Sequence, residues 1–140
     1  MTRSRLAAGV VAAAIATGAA LAAAPAAQAA GAPVLQMSTC AVALAAALDS
    51  NAAAIGADIA GDTVGAHLYN IRTHVILANA RHDCSYQPPQ VRTDIIAAAT
   101  DSIRAAVSNA QGDFAAALDS EDAVAAELTD ALQIVWYAGV

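Results

Sequence analysis

Residues 63–81 read TVGAHLYNIRTHVILANAR, and Val64, Leu68, Ile71, Val75 and Ala78 recur within them at alternating steps of four and three. That is the period of one face of an α-helix, and the stripe is predicted to be a core face. The segment is punctuated on both sides. Gly61-Asp62 precedes it, a glycine able to end one helix and an aspartate able to cap the next. His82-Asp83-Cys84-Ser85-Tyr86-Gln87-Pro88-Pro89 follows, and two prolines cannot continue the helix.

The same period extends outward. A first helix is predicted over 39–60, capped by Ser38 or Thr39, with Leu44, Leu48, Ile55 and Ile59 on one stripe. A third begins near Val91, with Ile96, Ile103, Val107, Ala110 and Phe114 on one face. It is expected to bend or stop between Asn109 and Gly112, where a glycine costs about 1 kcal/mol. A fourth is expected after Asp119-Ser120, with Glu121 and Asp122 in a first turn that favours acids and Val124, Leu128, Leu132 and Val135 as its stripe. Strand signals are nearly absent and alanine, the best helix former, dominates. Four antiparallel helices with short connections make an all-α, four-helix up-down bundle, built from two helical hairpins.

The cysteines test this arrangement. Cys40 falls in the first turn of the first helix and Cys84 just past the end of the second. Helices of these lengths run roughly 33 and 29 Å, so in an antiparallel hairpin the start of one meets the end of the other. A Cys40–Cys84 bridge can then close. It would enclose a loop of about 45 residues, worth roughly 4 kcal/mol in chain entropy.

Of the 140 residues, 59% are apolar, 4% aromatic and 13% charged. Part of the apolar excess belongs to the start of the chain. Thr2-Arg3-Ser4-Arg5, an apolar run over 6–24, Pro25 and Ala27-Gln28-Ala29 have the layout of a secretory signal peptide cut after residue 29. A loose leader over 30–37, containing Gly31 and Pro33, then joins a single helical domain over 38–140. The mature chain keeps four arginines, no lysine and all 12 acids, a formal charge of −8. That balance argues against nucleic acid and against electrostatic docking on anionic lipid. No second apolar span is expected to insert stably in a membrane. The protein is therefore expected to be extracytoplasmic, where an oxidising compartment suits the cysteine pair.

No Gly-rich phosphate loop, G-x-S-x-G, H-E-x-x-H or C-x-x-C occurs, and a mature chain without lysine forms no Schiff base. Asp119, Glu121 and Asp122 lack the alternating oxygens and central glycine of a calcium loop and read as helix capping, so no metal site is expected. Asp94 and Asp101, one heptad apart, are expected on a solvated face. Gly61 and Gly65 form G-x-x-x-G, which outside a membrane span fits a helix-to-helix turn.

The histidines are the uneven feature. His67, His74 and His82 all lie on or at the end of the second helix. His67 and His74 sit on one flank about 10 Å apart, too far to share a metal ion. They read as bordering the core, and His82 as interacting with the helix C-terminus. A histidine or tyrosine ligand beside an apolar cleft would suit haem. The signal peptide, cysteine pair, helices and His/Tyr content together resemble, in outline, the small secreted helical haemophores of actinobacteria. That resemblance implies a haem or hydrophobic-ligand carrier, with His67, His74 or Tyr69 as candidates. Ala80-Arg81-His82-Asp83-Cys84-Ser85-Tyr86 resembles the active-site helix of secreted prokaryotic phospholipases A2, over seven residues. It implies His82 as the base activating water and Asp83 as a calcium ligand. The residues themselves favour a third reading, a small non-enzymatic binding or structural protein without a cofactor, whose partner is a protein or a small hydrophobic ligand.

Overall fold

The computed structural model describes residues 38–138. The expected signal peptide and leader lie outside them. Four helices follow one another: α1 (Thr39–Ile59), α2 (Thr63–Asp83), α3 (Pro89–Gln111) and α4 (Phe114–Ala138). Each packs on its neighbour in sequence, and α4 closes the square against α1. This is the up-down bundle.

The connections are short because their residues stop one helix and start the next. Ser38 caps α1, its Oγ accepting from the Ala41 N–H at 3.1 Å. Gly61 takes φ 76°, a conformation only glycine adopts freely, and ends the α1 side of the turn. Asp62 Oδ1 then accepts from the Gly65 N–H at 2.9 Å. A Cβ at position 65 would collide with that carboxylate, so the second glycine of G-x-x-x-G makes room for the cap. Pro88 and Pro89 open α3, where a missing N–H is harmless.

The last turn corrects the sequence reading. Gly112, again at φ 76°, ends α3, and Asp113 Oδ1 accepts from the Ala116 N–H at 3.1 Å to start α4. The fourth helix therefore begins at Phe114, ahead of the start expected at Asp119-Ser120. Asp119, Glu121 and Asp122 are interior residues of α4 and cap nothing. The Ser120 hydroxyl donates to the Ala116 carbonyl within the helix.

Cys40 and Cys84 are bridged, with Cα atoms 4.8 Å apart and both side chains buried. Such a bridge fits an oxidising environment. It ties the start of α1 to the end of α2, as the hairpin geometry requires.

Each helix contributes one buried line at heptad spacing: Leu44, Asn51 and Asp58 on α1, Asn70, Leu77 and Cys84 on α2 and its cap, Ile95, Ser102 and Asn109 on α3, Glu121, Leu128 and Val135 on α4. Because the helices alternate in direction, the apolar members of all four lines meet at the disulfide end. There Leu44, Leu77, Val91, Ile95, Val124 and Leu128 pack round the cystine. The polar members meet at the opposite end, beside the two glycine turns. α1 is long and apolar enough to cross a membrane by length and composition, yet its Cys40–Leu44–Ala47 face is part of this core.

The facing of α2 and α3 overturns the predicted stripes. Val64, Leu68, Ile71 and Val75 are 68%, 61%, 37% and 52% exposed, and Ala78 is exposed too. Ile96, Val107 and Ala110 on α3 are likewise exposed, Ile103 is half-buried, and Phe114 belongs to α4. The buried line of α2 is instead Ala66, Asn70, Thr73, Leu77 and Ala80. On α1, Leu44 is buried, Leu48 and Ile55 are half-buried, and Ile59 points out. The α4 stripe holds, with Val124, Leu128 and Val135 buried and Leu132 half-buried. Alanines and, at the polar end, hydrogen-bonded amides take many of the interior positions.

Candidate functional site

His67 and His74 are half-buried at the α2/α3 seam. His67 Nδ1 lies 2.9 Å from the Ala106 carbonyl, and His74 Nδ1 lies 2.9 Å from the Ala99 carbonyl. A carbonyl only accepts, so each Nδ1 carries the proton and donates. The heptad between the histidines matches the heptad between the two alanines, and the pair staples α2 to α3. Tyr69 is half-buried, and its backbone carbonyl accepts the Ser50 hydroxyl of α1 at 3.2 Å. His82 and Asp83 are both exposed, in the last turn of α2. Among the described residues, no three His, Cys, Asp or Glu side chains are placed to hold a metal ion.

The sequence reading does not anticipate the polar end of the bundle. Asn51 Nδ2 donates to the Glu121 backbone carbonyl at 2.9 Å, and Asn70 Nδ2 to Glu121 Oε1 at 2.6 Å. Asn109 Nδ2 donates to Asp58 Oδ2 at 3.0 Å. Glu121 is fully buried. Burial pushes its carboxyl up to about 7; the Asn70 hydrogen bond opposes this, and the Asp58 charge adds to it. Among the described residues, Asp58 and Glu121 have no arginine partner, and Asp58 Oδ1 and Glu121 Oε2 find no donor. The two carboxylates lie near enough for Asp58 to add to the rise, and a proton on Glu121 would give these oxygens a donor. The signal for this layer is present in the sequence: Asn51, Asp58, Asn70, Asn109 and Glu121 each lie one or two heptads from a buried apolar position of the same helix.

A second acidic group lies along the α3/α4 seam and corrects the expected solvated face. Asp94 is buried and accepts from Gln90 Nε2 at 2.6 Å, and Asp101 pairs with Arg104. Burial, reinforced by the Asp101 and Asp94 charges, raises Glu127 to about 7.

The remaining feature is the outer face of α2 and α3. The His67–Ala106 and His74–Ala99 contacts fix the register of the two helices. That register sets the row Val64, Leu68, Ile71, Val75 beside Ile96, Ile103 and Val107. Val64, Leu68, Ile71, Val75, Ile96 and Val107 are exposed and Ile103 is half-buried, an unusual number of large apolar side chains at the surface of two helices. The four arginines of the described region, Arg72, Arg81, Arg92 and Arg104, all lie on these two helices and are exposed. Only Arg104 has an ion-pair partner among the described residues. At the disulfide end the face deepens into an open groove of about 610 Å³ between α2 and α3. Ala78 and Ile96 line it together with Arg81, His82, Arg92 and Thr93. Two other grooves, of about 580 and 440 Å³, flank α4. The first is lined in part by Asp94 and Asp130, the second by Leu48, Leu132, Trp136 and Tyr137, and neither is lined by a cationic side chain.

Compared with known protein families, with curated proteins and with solved structures, the chain matches none.

Proposed function

We propose that this is an exported, non-enzymatic binding protein whose working surface is the outer face of α2 and α3. The observation that carries this reading is the row Val64, Leu68, Ile71 and Val75, regularly spaced and each more than a third exposed. These residues contribute little to the core, which is built from the opposite side of α2. A contiguous exposed apolar face on a small soluble domain is characteristic of a binding surface. Export is supported by the buried cystine and by the signal-like layout of residues 1–29.

The test is native mass spectrometry of the chain recovered from its own host, with a Leu68→Gln/Val75→Gln variant alongside. The wild type is expected to carry an added mass, a partner or a ligand, that the variant lacks. The same bound mass on both proteins would place the binding surface elsewhere on the bundle.

A further inference from the structure

We infer that the α2/α3 face holds a single-chain amphiphile with one anionic head group, the head at Arg81 and Arg92 and the chain along the apolar row. This rests on the reading of that face as the binding surface.

The chemistry of the groove selects the head. The mature chain is strongly acidic, yet the groove at the disulfide end is lined by Arg81, Arg92 and His82 with no acid among its lining residues. Neither arginine has a carboxylate partner among the described residues. A guanidinium takes a carboxylate or phosphate through two parallel hydrogen bonds. The start of α3 borders the same groove at Pro89 and carries no side-chain cap.

The walls select the tail. Ala78 and Ile96 line the groove, and from Ala78 the exposed side chains Val75, Ile71 and Leu68 follow at three- and four-residue steps along α2. From Ala78 to Leu68 is about 15 Å along α2. That is the reach of one acyl chain, half of a bilayer core about 30 Å thick. Charge decides between a free amphiphile and a membrane. A monomeric ligand meets only the local arginines, whereas an anionic bilayer would meet the whole acidic molecule, and its surface potential repels a chain of this net charge.

The test is titration calorimetry with dodecanoate below its aggregation concentration. Acetate serves as a head without a tail and dodecyl maltoside as a tail with a neutral head. Vesicles of phosphatidylglycerol serve as the bilayer. Dodecanoate is expected to bind one to one and acetate not to bind. Arg81→Gln/Arg92→Gln, two exposed positions, is expected to weaken dodecanoate about tenfold or more, the worth of a charge-assisted hydrogen bond. It should leave the weaker dodecyl maltoside binding within about twofold. Leu68→Gln/Val75→Gln is expected to weaken both. Dodecanoate affinity unchanged in the arginine variant, but lost in the apolar one, would overturn the anionic head and leave the face standing. Affinity unchanged in both variants would overturn the face as well. Absence of dodecanoate binding, or tighter binding to the vesicles than to dodecanoate, would overturn the single-chain ligand.

Discussion

Replacing Glu121 by glutamine should make the protein more stable at neutral pH and flatten its pH dependence. Glu121 titrates near 7 in the folded chain against an ordinary 4.5. Its raised value means that the folded state holds the proton more tightly than the unfolded state. The resulting stability is fully present below about pH 4.5. It declines as pH rises, because the unfolded chain ionises first, and is gone above about 7. At 1.36 kcal/mol per pH unit the whole effect is about 3 kcal/mol. For a chain of this size that corresponds to roughly 10 °C or more in Tm. In the variant, the glutamine oxygen can still accept from Asn70, and its amide adds a permanent donor beside the unpaired Asp58 Oδ1 without the ionisation. Urea denaturation followed by circular dichroism between about pH 4.5 and 7.5 measures both proteins. The wild type should lose stability across that range. The variant should match it at the acid end and exceed it by about 2–3 kcal/mol at the neutral end. Glu127 titrates in the same direction, so Glu127→Gln alongside separates the two contributions. An E121Q variant that keeps the full wild-type slope, or that is the less stable protein at the neutral end, would refute the assignment of the proton to this layer.

Cys40→Ser/Cys84→Ser, unfolded in urea without reductant, should lose roughly 4 kcal/mol, and a loss below about 1 kcal/mol would mean the bridge constrains little. His67→Phe or His74→Phe removes one donor to an α3 carbonyl and should cost about 1 kcal/mol each in thermal unfolding, with the double variant additive because the sites lie a heptad apart. Gly112→Ala forces a side chain into a left-handed backbone and should cost about 1 kcal/mol, read as a lower urea midpoint at unchanged m-value. Leu68→Gln/Val75→Gln should change stability by no more than about 0.5 kcal/mol per site while abolishing enhancement of an apolar fluorescent dye. A loss of several kcal/mol would show that these side chains pack inside.

The helices, their direction and the disulfide were legible because each rests on local chemistry: period, caps, prolines and the length of a helical hairpin. The start of α4 was misplaced because Asp119-Ser120 followed by Glu121 looks like a capping sequence. Gly112-Asp113, a stronger terminator and cap in that order, stands earlier in the chain and takes both roles. The facing of α2 and α3 was misread for a different reason. Periodicity alone puts large apolar side chains inside, yet of those on α2 only Leu77 is buried. Ala66, Ala80, Ala98 and Ala105, all fully buried, take interior positions where large side chains are expected.

The outward facing of the α2 row and the proposed working surface therefore share one cause. The disulfide end is held by a cystine and a handful of leucines, isoleucines and valines. The turn end is held by three asparagine amides that donate to Glu121 and Asp58, through hydrogen bonds rather than volume. Val64, Leu68, Ile71 and Val75 lie outside this packing and are presented to solvent. The arginines sort to the same two helices, and the acids of α4 and of α1 lie on the other side of the square. The outer face of α2 and α3 thus carries exposed apolar side chains, with Arg81 and Arg92, unpaired among the described residues, at one end.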